Sequence, residues 1–178
     1  PTHKNNSLRI NNILSFIKGF KEQIISCSST GIYPNEPKIY TESDIKPINV
    51  ATEAPFIRDL PHCNILRFGG LMGYDRYLSK YNITQGLEEP VNHIHADDAV
   101  HVIKHLITKQ IHSAIINVVA PIHPTKSAVK AHQRGLEIPE QTNAADNGRI
   151  ISSYKLIKTL SYKFLYPNPL YFKTKKSK

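Results

Sequence analysis

Apolar residues recur along this chain in two rhythms that take turns. Ile10, Ile13, Leu14 and Ile17 stand at helical spacing and predict a helix over 8–20, capped by Ser7 and weakened in its last turn by Gly19. "QIISCS" (23–28) is a short Ile-rich run bounded by "SSTG", and it reads as a buried strand of the parallel-sheet kind. Gly31, Pro34, Pro37 and Pro47 make 31–49 a loop, and "NVATEAPFIRDL" (49–60) is a weaker helix interrupted or started late by Pro55. "CNILRF" (63–68) is a second buried strand, followed by "GGLMGYDR" (69–76), whose three glycines mark a tight turn or a close backbone approach. "VNHIH" (91–95) is a short strand. "DDAVHVIKHLITK" (97–109) is the clearest helix, with Ala99, Val102, Ile103 and Leu106 on one face and Asp97 as its cap. "AIINVV" (114–119) is a third buried strand, and a helix around 125–135 ends near Gly135. "SSYKLIKTL" (152–160) is a further helix, and "YKFLYPNP" (162–169) reads as a strand stopped by prolines. Strands alternate with helices throughout, which predicts an α/β domain with a mostly parallel sheet.

Composition bounds this picture. The 178 residues, 40% apolar and 21% charged, suit one globular domain with a real core. No apolar run approaches the ~18 residues that span a bilayer, and the polar start "PTHKNNSLRI" lacks a signal-peptide pattern. Cys27 and Cys63 sit in separate apolar runs and read as buried thiols in a reducing, cytoplasmic compartment. The net charge of +9 raises the question of nucleic acid. Part of that excess is the tail "KTKKSK", and no helix carries a continuous Lys/Arg face, so an ordinary basic surface is expected, with neither nucleic acid nor membrane as partner. Neither G-x-G-x-x-G nor G-x-x-x-x-G-K-[ST] occurs.

Ligands of parallel α/β sheets bind outside the carboxyl ends of the strands. Ser28, Ser29 and Thr30 stand where "IIS" ends, so their hydroxyls either reach a substrate or cofactor or satisfy loop backbone groups, as Ser and Thr routinely do. His93 and His95 share one side of a strand; His101 and His105 share a helix face, but a largely solvated one, so no metal site is expected. No cation stands near Cys27 in sequence to activate it as a nucleophile.

"SSTGIY", "LRFGGLMGYDR", "HIHADDAV" and "NVVAPIHP", in this order, resemble the extended short-chain dehydrogenase/reductases, the NAD-dependent epimerase/dehydratase family, and within it the atypical members. The likeness extends to the closing "ISSYKLIKTLSYKFLYPNP" and corresponds to the C-terminal two-thirds of that family's chain. It implies a Rossmann-type fold that holds NAD or NADP, a small-molecule substrate, possession of a small C-terminal substrate-binding region, and room for a homodimer. Residues 1–73 would form part of the cofactor domain, and 74–178 the remaining sheet elements and the substrate region. Ser29 matches the catalytic Ser/Thr that polarises the substrate oxygen. Ser28, Phe68, Gly69 and Gly70 match the cofactor side, and Thr30, Tyr33, Arg76 and His95 the substrate side. Two departures stand out. Counting back from Glu53, the family's Tyr-x-x-x-Lys pair falls on Ile45 and Asn49, which cannot do its proton transfer. The family's Gly-rich loop and first strands precede the region that matches Pro1, so a piece lacking them should expose a sheet edge and bind a dinucleotide poorly. An NAD(P)-dependent epimerase/dehydratase-like oxidoreductase is therefore expected, and a non-catalytic Rossmann-like module that binds a nucleotide or a protein is the alternative.

Overall fold

Three of the apolar runs lie side by side. In the computed structural model, which describes residues 6–138 and 147–173, β3 (Asn64–Phe68) is flanked by β1 (Ile25–Ser29) and β6 (Ile115–Val118), all parallel. The register pairs Ser29 with Phe68 and Phe68 with Val118, so the three strands end together. Two short parallel pairs extend the structure: β2 (Ile39–Tyr40) with β7 (Ile150–Ile151), and β4 (Gly70–Met72) with β5 (His93–His95). The helices are α1 (Asn6–Phe16), α2 (Ala54–Asp59), α3 (Ala96–Thr108), α4 (Lys126–Gln133) and α5 (Tyr154–Leu160). The α/β architecture with mostly parallel pairing is the one the alternating pattern predicts. Because β6 pairs with β3, residues on both sides of position 73 share one sheet.

Side chains alternate across a strand, and parallel register keeps neighbours on the same face. Leu66, Ile116 and Val118 therefore face α3 and α5, where Val102, Leu106, Leu156 and Leu160 are buried against them. Each such burial is worth about 1.5–3 kcal/mol. Ser28, Arg67 and Asn117 are in register with one another and take the opposite face.

Several expectations need correction. α1 includes Asn6 and Ser7, so Ser7 is not its cap; its apolar residues find little to pack on, and none is buried. The outer edge of β1 has no strand partner among the described residues. Cys27 is exposed, not buried, because it lies on that open edge; Cys63 is buried as expected. The stretch 31–49 is not all loop: it holds β2 and two short 3-10 turns. α2 begins only at Ala54, with Pro55 in its first turn, where a missing N–H does no harm. The cap of α3 is His95, whose Nδ1 accepts from the Asp97 amide at 3.2 Å, rather than Asp97. Finally, 162–169 is no strand. The amides of Leu165 and Tyr166 donate to the buried Asp98 carboxylate, both at 2.9 Å, and no ladder is left to form. Among the described residues no helix is long and apolar enough to cross a membrane.

Candidate functional site at the carboxyl ends of the strands

Where β1 and β3 end, two clefts open on either side of one hydroxyl. The larger, about 740 Å³, is mainly apolar; Phe68, Gly69, Leu71, Ala99, Val100 and Ile103 line it, with Cys27, Ser28, Ser29 and Arg76 at its margins. The smaller, about 240 Å³, is polar and is walled by Ser29, Thr30, Gly70, His93, Lys126 and Arg149, among others. Ser29 belongs to both. Its oxygen accepts from the Gly31 amide at 3.0 Å, the loop role its type suggests, and its proton is left to donate outward.

Ser28 points the other way, as strand alternation requires. Its hydroxyl donates to Glu53 at 2.6 Å. Glu53 in turn forms a fully buried pair with Arg67, through Nη2–Oε2 at 2.8 Å and Nε–Oε1 at 3.1 Å. Arg67 also donates to the Tyr33 hydroxyl at 2.8 Å and to the carbonyls of Glu42 and Ile45. The Tyr33 hydroxyl donates a hydrogen bond to Asn117 Oδ1 at 2.8 Å. Burial pushes the Tyr33 phenol up, with Arg67 opposing, so it stays protonated. Tyr33 is thus a core residue and lines neither cleft. His95 is also buried, its ring 3.9 Å from that of Tyr166, and it too lies outside both clefts. Thr30 lines the polar cavity, Arg76 the apolar cleft, and Phe68 and Gly69 the apolar cleft's floor.

The glycines have packing reasons of their own. A Cβ on Gly69 would meet the Asn92 carbonyl and Val119, and one on Gly70 would meet the His93 ring. His93 is the notable wall of the polar cavity. Its Nδ1 is buried with no hydrogen-bond partner among the described residues. Desolvation, and secondarily the positive field of Lys126 and Arg76, pulls its pKa down to about 4, so the ring is neutral at pH 7. Sequence reading missed Lys126, Arg149 and the part played by His93. They come together only through tertiary structure, and no local spacing signals them. Among the described residues, no group of three or more His, Cys, Asp or Glu is placed to hold a metal ion.

Solved structures of a UDP-N-acetylglucosamine 4-epimerase from Bacillus cereus and of a putative NAD-dependent epimerase/dehydratase from Methylobacillus flagellatus share this Rossmann-like fold, each with a TM-score of 0.66. Protein YeeZ of Escherichia coli (strain K12) is 28% identical over 166 residues, a match that covers 83% of this chain and 60% of YeeZ. A functionally unknown conserved protein from Silicibacter pomeroyi DSS superposes with a TM-score of 0.70 at 17% identity, covering 93% of this chain and 69% of that one. The UDP-glucuronic acid 4-epimerase of Bacillus cereus, in complex with NAD, gives 0.66 at 14% identity, with 96% and 66% covered. No family model matches the chain. The matched region spans 60% of the length of the curated relatives it matches.

Proposed function

We propose that this chain forms the catalytic end of a nicotinamide-dependent oxidoreductase of the epimerase/dehydratase kind, acting on a small polar substrate, with a nucleotide sugar as the nearest analogy. The carrying observation is Ser29, whose outward hydroxyl sits between an apolar cleft and a polar cavity at the carboxyl ends of the strands. The apolar cleft has the lining and size for the ring end of NAD or NADP, the cofactors found in complexes of similarly folded proteins. No Gly-rich phosphate loop stands in the 178 residues, so the rest of the cofactor needs a site from elsewhere in the natural protein or from a partner. When bound, the cofactor supplies hydride transfer.

The chain's own residues do the rest. Ser29 donates to the oxygen carried by the substrate carbon that is oxidised or reduced, and holds it at the mouth of the apolar cleft. Phe68, Leu71 and Ile103 keep water from that mouth. Thr30 and the polar wall orient the substrate from the other side. Residues 1–73 supply most of the cofactor face, and 74–178 most of the substrate face. The exposed Cys27 and the buried, free Cys63 suit a reducing cytoplasm.

One observation favours the alternative of a binding module without turnover. Ile45 and Asn49 occupy the place of a Tyr/Lys acid–base pair; Ile45 is packed in a side cluster and Asn49 ends a 3-10 turn. The test is NAD(P)H oxidation or reduction by the natural full-length protein over a panel of sugars, sugar acids and nucleotide sugars. Turnover that Ser29→Ala lowers by about a hundredfold supports the oxidoreductase. Cofactor binding with no turnover on the whole panel establishes the binding module instead.

A further inference from the structure

We propose that the polar cavity is an oxyanion subsite, which takes a carboxylate or phosphoryl group carried by the substrate, with Arg149 as its main ligand and Lys126 as its second cation. This rests on reading the paired clefts as a substrate site, and it names the charge that the substrate must carry.

Arg149 is the starting point. It is partly buried at the cavity wall, and its one side-chain hydrogen bond among the described residues runs from Nη1 to the Tyr33 carbonyl at 2.5 Å, a neutral acceptor. None of the ion pairs among the described residues involves it. A guanidinium has five N–H donors in a planar fork that matches a carboxylate or phosphoryl edge. Here most of those donors are left for a ligand. The fork is also held in place. The Arg149 carbonyl accepts from Asn92 Nδ2 at 2.8 Å, the next amide but one, Ile151, donates to Asn92 Oδ1 at 2.7 Å, and Ile150 and Ile151 form β7. Backbone anchoring from the Arg149 carbonyl onward limits how far the head can stray from the cavity.

Charge points the same way. Lys126 Nζ pairs with Glu89 Oε2 at 2.7 Å, and both line the cavity. Lys126 and Arg149 against Glu89 leave the wall one positive charge in excess. The neutral His93 ring adds polarity without charge, and its Nδ1 lacks a partner among the described residues. Arg76, beyond the cavity wall, adds to the positive field that Lys126 exerts on that ring. A volume of about 240 Å³ accommodates an oxyanion with a few attached carbons. Ser29 on the rim then sets the distance between the anion and the reacting oxygen. The favoured substrate is an acidic polyhydroxy compound, bound by its anion at Arg149 and presented by its hydroxyl or carbonyl at Ser29.

Isothermal titration with inorganic phosphate and with acetate, at low ionic strength, tests this on the full chain without any nicotinamide. Saturable one-to-one binding by the wild type is expected, weakened about tenfold or more by Arg149→Gln and a few-fold by Lys126→Gln. Arg149→Lys should fall between, since it keeps the charge and loses the fork. Arg58→Gln, which disturbs only an exposed pair with Asp59, should bind as the wild type does. The ratio of phosphate to acetate affinity tells the two sources of oxyanion apart. If Arg149→Gln melts early, Arg149→Lys and Lys126→Gln carry the comparison. No saturable binding by the wild type, or equal binding by the Arg149 and Lys126 variants, overturns the subsite. Anion binding with no turnover on the substrate panel would leave the subsite standing and overturn only the oxidoreductase reading.

Discussion

Glu53→Gln should be among the most damaging single changes available to this fold. The side chain is 1% exposed and faces a guanidinium that is 0% exposed, with three N–O contacts between 2.8 and 3.3 Å. Glutamine keeps the shape and removes the charge. Arg67 cannot shed its proton, so it would stay ionised among neutral acceptors: the Tyr33 hydroxyl and the carbonyls of Glu42 and Ile45. Removing one partner of a buried pair costs about 3–5 kcal/mol, against a typical total stability of about 5–15 kcal/mol. With a urea dependence of about 2 kcal/mol per molar, the unfolding midpoint should fall by about 1.5–2.5 M. The shift should change little between low and high salt, because a buried pair is poorly screened. Circular dichroism in urea, with the slope checked for constancy, reads this directly. A loss below about 1 kcal/mol would refute the reasoning, since it would mean that the guanidinium is stabilised without its carboxylate.

Other outcomes follow from the same geometry. His93 is pulled down to about 4 in the folded state, whereas an unfolded His titrates near 6.5. Its contribution is thus full above pH 6.5 and lost as pH falls towards 4, by at most about 3 kcal/mol; a melting-temperature series over that window, flattened in His93→Gln, checks the sign and size. Asp98→Ala should free the amides of Leu165 and Tyr166 and the Tyr162 hydroxyl, now 2.9, 2.9 and 2.7 Å from the carboxylate, at a cost of about 2–4 kcal/mol. Hydrogen exchange at residues 165 and 166 should quicken more than in β3; equal protection in both variants would contradict it. Gly70→Ala should drive a methyl into the His93 ring and cost about 1–3 kcal/mol, with phosphate affinity at the polar cavity reduced as the ring is displaced. Unchanged stability and affinity would show that the ring can yield.

The features that could be read from sequence are those whose cause is local. α3 announces itself because Ala99, Val102 and Leu106 must share a face, and all three are buried. The central strands announce themselves because a two-sided burial needs an apolar run. β2 and β7 are two residues each and exist only because Ile39 meets Ile150 from more than a hundred positions away, which no window detects. The alternation in 162–169 misleads because a single buried carboxylate on α3 takes the amides that a strand would have used. At the site, the hydroxyl run at the end of β1 was legible, but which hydroxyl faces which way was not. Period-two alternation says that Ser28 and Ser29 diverge; only the packing of Glu53 decides that Ser28 goes inward. Arg149 gives no signal in the sequence because the cavity it lines is assembled only in the fold, from segments as far apart as Ser29 and Arg149.

Tyr33 has two ends in two different settings. Its phenol belongs to the buried network around Arg67, while its main-chain oxygen steadies the Arg149 head at the cavity. A backbone displacement at Tyr33 would move both ends, which gives the interior charge pair and the cavity rim one residue in common. Changes at Glu53 and Arg149, though made at separate places, should therefore fail to add in a double-mutant cycle. A substitution at the cavity rim is then expected to be felt in the buried network, and one in the network at the rim.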